Sequence, residues 1–197
     1  LWIGRPFKRY VVRAPGGVRR MKLPGAVKRD YDRWSRFLEQ QIDFSLKDSE
    51  KHTKAHCARV LLYALLIAEK MGLSQELREV LGAAAVFHDS RRQDDWLDVG
   101  HGQRAADYYK AFCRTNALIY DERVYRIMAY HDREDTLGEA ALSGLEHGVL
   151  LYRIFKDADA LDRYRLGETA LDESMLRTTA AHSLTDFARC LVAEAAH

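Results

Sequence analysis

The chain has 197 residues, 47% of them hydrophobic and 30% charged, with only three prolines and three cysteines. That length buries a full core in a single domain without staples. Cys57, Cys113 and Cys190 are widely separated with no C-x-x-C spacing, which excludes a disulfide framework and a cysteine zinc site and predicts a reducing, cytoplasmic setting.

The longest apolar run, Val60–Ala68, falls far short of the ~18–20 residues that cross a bilayer, and the N-terminal region has no apolar signal-peptide core, so no membrane association is expected. The net charge of +2 is unevenly placed. The first 36 residues carry 11 Lys and Arg against Asp30 and Asp32, so a basic arm precedes an acidic body. Such an arm suits phosphate contact with nucleic acid. A solvated tail docking on its own acidic body is the favoured reading, and nucleic acid is not the preferred partner.

Residues 1–27, which hold all three prolines and the Gly16-Gly17 pair, read as an irregular or hairpin-like arm. Residues 28–197 read as one all-helical domain, because Ala, Leu, Arg and Glu abound and no period-two apolar run competes. Apolar positions from Tyr31 to Phe44 recur at helical period, predicting a first helix over about 28–46. A second is predicted over about 52–71, ended by Gly72, and a third from the Ser74 cap to His88-Asp89. A polar, aspartate-rich connection follows up to Gly102, long enough to suggest a functional loop. Further helices are predicted over about 101–114, 121–132, 149–165 and 172–196, with Gly144 and Gly148 bracketing a short link.

The stretch Phe87-His88-Asp89-Ser90-Arg91-Arg92 places an imidazole beside a carboxylate at the end of the strongly apolar run Val80–Phe87. Ligand-type residues entering from a buried helix predict a metal site. His56 and His52 stack on one helical face, with His56 adjoining the stripe of Val60, Tyr63 and Ile67 and His52 a second-shell or substrate-facing candidate. In the fifth predicted helix, Val124, Ile127, Met128 and His131 follow the i, i+3, i+4, i+7 spacing of a buried stripe. Near residue 160, periodicity alone leaves open which of Asp157, Asp159 and Asp162 points inward.

The ordered series His56, His88-Asp89, Asp159 resembles the signature of the HD-domain metal-dependent phosphohydrolase superfamily, and in particular its small single-domain bacterial members. Four blocks carry the resemblance over roughly residues 50–180: His52-x-x-x-His56-x-x-Arg59-Val60, Phe87–Arg92, Gly100-His101-Gly102-x-Arg104-Ala105-Ala106, and Asp157-Ala158-Asp159-x-Leu161-Asp162. It implies an all-α HD helical bundle of about six to seven helices. It also implies that His56, His88, Asp89 and Asp159 hold one metal, selecting Asp159 over Asp157. His101 and His131 take the places of the further histidines of two-metal members, with Asp89 bridging.

Nitrogen and carboxylate donors together suit Mn, Fe, Co, Ni or Zn, as one or two ions per chain. The chemistry implied is hydrolysis of a phosphomonoester or phosphodiester of a nucleotide-like small molecule by a metal-activated water. Arg91 or Arg92 is expected to hold phosphate oxygens, and Asp94 or Asp95 to orient water or protonate the leaving group. Arg59, Lys156 and Asp162 are further candidates for holding the ligands from behind or for touching substrate. The same donors also fit an HD-fold di-iron oxygenase, and a non-catalytic nucleotide-sensing module is the third reading.

Overall fold

The computed structural model describes residues 10–14, 17–21, 23–47, 49 and 53–195. In the basic arm, β1 (Tyr10–Ala14) and β2 (Gly17–Met21) pair antiparallel in the register Tyr10 to Met21, so part of the arm is a hairpin. The described body is all-helical: α1 (Gly25–Gln41), α2 (Lys54–Lys70), α3 (Gln75–Phe87), α4 (His101–Thr115), α5 (Glu122–Tyr130), α6 (Asp135–Leu142), α7 (Gly148–Leu161), α8 (Thr179–His182) and α9 (Thr185–Ala195). Short 3-10 turns cover Asp162–Leu166 and Glu173–Met175. No helix among the described residues is long and apolar enough to cross a membrane.

Helix α2 is the axis of the fold. Its residues from Val60 to Ala68 are all buried, as expected of a helix that is apolar all round and packed on every side. α1, α3 and α7 lie against it. Burying a leucine such as Leu61 or Leu65 contributes about 1.5–3 kcal/mol. The start of α2 is set by Thr53, whose Oγ1 accepts from the backbone N of His56 at 3.3 Å. α3 starts as its sequence predicts, with Ser74 Oγ accepting from Leu77 N at 3.4 Å. Gly72, at φ +68°, turns the chain between the two helices.

Three expectations change. α1 stops at Gln41, and Ile42 and Phe44 are buried from an extended segment instead of a helix. Between the helix predicted to end near residue 132 and the Gly144–Gly148 link, the structure adds a helix that was not expected, α6, whose apolar stripe is short and interrupted by Gly138. That glycine is where Tyr152 packs; a Cβ there would lie 2.2 Å from its Cζ. The single last helix expected over 172–196 is broken at Leu176–Thr178. There the buried carboxylate of Asp157 accepts from Arg177 N at 2.9 Å and Thr178 N at 2.8 Å, drawing both donors out of any helical ladder.

Candidate metal centre

Five helices deliver six side chains to one place. His56 comes from the first turn of α2, and His88 is the C-cap of α3, followed by Asp89. His101 is the first residue of α4, His131 the C-cap of α5, and Asp159 lies in the last turn of α7. The four histidines and Asp89 are buried, while the Asp159 side chain is 35% exposed.

Asp89 stands between two imidazole pairs. Its Oδ2 lies 3.4 Å from His56 Nε2 and 3.8 Å from His88 Nε2. Its Oδ1 lies 3.3 Å from His101 Nε2 and 3.9 Å from His131 Nε2. Asp159 Oδ1 closes the first group at 3.3 Å from His56 and 3.9 Å from His88. Two sets of donors, His56-His88-Asp159 and His88-Asp89-His131, are each close enough to share an ion.

The Nδ1 hydrogen bonds fix which nitrogen of each ring faces inward. His88 Nδ1 donates to Ala85 O at 2.9 Å, His101 Nδ1 to Asp98 O at 2.7 Å, and His131 Nδ1 to Met128 O at 2.7 Å. A carbonyl only accepts, so each Nδ1 carries the hydrogen and each Nε2 keeps its lone pair. His56 Nδ1 donates to Asp162 Oδ2 at 2.7 Å, the outer carboxylate arrangement common behind metal-ligating histidines. Asp162 in turn accepts from Arg59 Nε at 2.6 Å and Nη2 at 3.0 Å.

Lone pairs therefore face each other across 3.2 Å between His56 and His88 and 2.9 Å between His101 and His131. A cation relieves that opposition, so the donor set fits a divalent ion with nitrogen and carboxylate preference.

The carboxylates set how strongly each ring competes for a proton, and a bound cation would displace such protons. Burial lowers the His88 pKa to about 3, keeping it a neutral donor. At His56 burial and Arg165 lower the pKa, but Asp159 and Asp162 outweigh them and raise it. Burial also opposes the charge on His131, yet Asp89 raises its pKa. Asp159 loses solvation but is held ionised below the usual carboxylate range by the His56 hydrogen bond and the neighbouring imidazoles.

The loop after Asp89 is used differently from expectation. Arg92 is buried and reaches the cluster, with Nη1 3.1 Å from His101 Nε2. Arg91 turns to the α1–α2 connection, donating to Asp43 O at 2.6 Å and covering the Tyr108 ring at 3.4 Å. Asp94 accepts from Trp96 N at 2.7 Å, and Asp95 accepts from Ser49 Oγ. The structure thus does not bring Arg91, Asp94 and Asp95 to the six residues. The reason is physical: an irregular loop needs partners for its own backbone, which Asp94 and Arg91 supply at Trp96 N and Ser90 O, while Asp95 and Arg91 also tie the loop to the α1–α2 connection at Ser49 and Asp43. His52 lies outside the described residues.

A cleft of about 820 Å³ opens from His131 and Asp159. Lys156 lines it, but its ammonium is spent on His131 O at 2.9 Å and Arg133 O at 3.0 Å, bracing the chain beyond α5. Arg133 and Arg163 are the exposed cations on its wall; Arg163 Nε donates to Ala170 O at 2.9 Å. Sequence reasoning passed over both, and over Asp132, whose Oδ2 accepts from Gly100 N at 2.9 Å at the head of α4. Asp132 was findable: with His131 it forms a second His-Asp dipeptide. Gly102 permits the α4–α5 contact, since a Cβ there would lie 2.4 Å from Met128 O.

Among known families, the one described as HD domain matches residues 53–164, more than half of the chain. The matched range starts at the residue that caps α2 and encloses all six clustered side chains. No curated protein and no solved structure matches the chain.

Proposed function

The chain belongs to the HD domain family, most of whose members are metal-dependent hydrolases, and from that premise we propose a metal-dependent phosphohydrolase. Its substrate in this reading is a phosphomonoester or phosphodiester of a nucleotide-like small molecule. The observation that carries the reading is Asp89 with one carboxylate oxygen toward each pair of imidazoles. His56, His88, Asp89 and Asp159 would hold a divalent ion, and His101 and His131 with Asp89 would offer a second place. Such an ion, when bound, supplies Lewis-acid polarisation of a phosphoryl oxygen and an acidified water nucleophile.

The protein's own groups do the rest. Asp162 and the three carbonyls hold the imidazoles in the tautomer that turns the Nε2 lone pair inward, where at His101 it meets Arg92 Nη1 at 3.1 Å. The cleft beside Asp159 has the size of a small-molecule site, and Arg133 and Arg163 offer guanidinium donors to phosphate oxygens. Those two cations favour a phosphate ester over the dioxygen chemistry that six such donors also allow. Residues 1–27 are proposed as a separate basic arm on this body.

The test loads chelator-stripped protein with Mn, Fe, Co, Ni or Zn and screens phosphatase and phosphodiesterase substrates. Hydrolysis with exchangeable metals, lost in His88→Ala and Asp89→Ala together with metal retention, is expected. Full metal occupancy in a folded His88→Ala/Asp89→Ala protein would overturn the site. Oxygen uptake confined to the iron-loaded protein would replace the hydrolase by an oxygenase.

A further inference from the structure

The two ends of the cluster differ in what else faces them. On the α2–α3–α7 side, Asp89 Oδ2 and Asp159 place two carboxylates against His56 and His88. On the α4–α5 side, Asp89 Oδ1 meets His101 and His131 together with a third group, the guanidinium of Arg92. Arg92 Nη1 lies 3.1 Å from His101 Nε2, 3.2 Å from its Nδ1 and 3.7 Å from Asp89 Oδ1. Only 5% of the residue is exposed.

Nor can this guanidinium swing aside without loss. Its Nε donates to Asp94 O at 3.2 Å and its Nη2 to Trp96 O at 2.8 Å, so the loop backbone fixes the fork on two sides. The remaining acids near this corner are Asp132, on the Nδ1 side of His101 at 3.6 Å and already accepting from Gly100 N, and Asp98, whose carboxylate pairs with Arg104 and accepts from Gln93 N. A fixed positive charge therefore stands within 4 Å of two donors in one corner, whereas the other corner has an additional carboxylate, and its nearest guanidiniums, Arg59 and Arg165, pair with Asp162 behind His56.

We infer that Arg92 makes the two corners unequal cation sites: the His56-His88-Asp159 corner retains a divalent ion, and the His101-His131 corner takes a second one weakly and exchangeably. This rests on the metal-site reading above but not on hydrolysis. Coulomb repulsion between a guanidinium and a dication at such range costs more than a factor of ten in affinity even at a high effective dielectric constant.

The experiment is calorimetric titration of the chelator-stripped full chain with Mn²⁺ alone. Two binding steps separated by roughly 100-fold are expected in the wild type. Arg92→Gln should tighten the second step on the order of tenfold or more and leave the first within a few-fold, and Arg92→Lys, which keeps the charge, should preserve the gap. Two equally tight ions in the wild type would overturn the inference, as would an Arg92→Gln protein whose second step is no tighter. The wild-type titration decides by itself if Arg92→Gln does not fold. Because binding is read without turnover, this pattern in a protein that hydrolyses no phosphate ester would sink the hydrolase and leave the inference standing.

Discussion

The α2–α3 pair and the Ser90–Gly100 loop border the same cluster and are held together by opposite means. Along α2 and α3, stability comes from apolar packing: residues 80–87 and 60–68 are buried, and His88 is carried rigidly on the last turn. The loop exposes its large apolar groups instead, Trp96 at 77% and Leu97 at 88%, and is fixed by polar contacts of Arg92, Asp94 and Asp98 to backbone groups. The difference teaches that charged residues beside a candidate metal centre need not be chemical. In the loop, most of them serve its own backbone.

Mutations that break each kind of support should rank accordingly. Leu65→Ala, in the fully buried middle of α2, should cost about 2–5 kcal/mol in urea denaturation, with no direct effect on the donors. A loss under 1 kcal/mol would show that α2 is not the axis of the core. Asp162→Asn removes the charge behind His56 and should weaken metal binding by roughly 10–100-fold, read as a shifted Mn²⁺ titration at nearly unchanged helix content.

Asp98 is the loop's anchor, its carboxylate accepting from Gln93 N at 2.6 Å and pairing with Arg104. Asp98→Ala should cost about 1–3 kcal/mol and loosen His101, seen as a broadened His101 ring resonance. Burial opposes ionisation of Asp98, but Arg104 and the Gln93 amide outweigh it and hold its pKa below the ordinary carboxylate value. Its contribution is therefore complete above the unfolded value of about 3.9 and is lost as pH falls through the lower folded value. Between pH 5 and 3 the stability of the wild type should fall more steeply than that of Asp98→Ala. The smallest effect belongs to Leu97→Ala, expected within about 0.5 kcal/mol because that residue is 88% exposed among the described residues.

How much of this was legible in the sequence follows from the same contrast. Helices whose apolar residues repeat along a buried face, α2, α3 and α5, were readable together with their caps at Ser74 and Gly72. The buried placement of His56, His88 and His131 followed from them, whereas His101, on α4, and Asp159 came from the family resemblance. α6 was not readable, because its packing depends on a missing side chain at Gly138 against Tyr152 from a helix 14 residues away. Nor was the break before α8, which a buried Asp157 imposes from another element. Arg91 and Arg92 are adjacent and chemically identical, and only the loop's course sends one to Tyr108 and the other to His101. Local pattern encodes what a helix buries; it does not encode which backbone group a loop side chain will meet.

The way helices start and stop at the centre has a consequence that no side chain carries. α3, α5 and α7 end there, whereas α2 and α4 begin there. Each helix terminus bears about half an elementary charge from its aligned peptide dipoles, negative at the C-terminal end and positive at the N-terminal end. Three negative poles against two positive ones leave a cation-attracting field built into the backbone. The positive pole of α2 at His56 meets the negative poles of α3 and α7, whereas that of α4 at His101, in the corner that Arg92 occupies, meets α5 alone, so backbone and side chain bias the two proposed ion positions in the same direction.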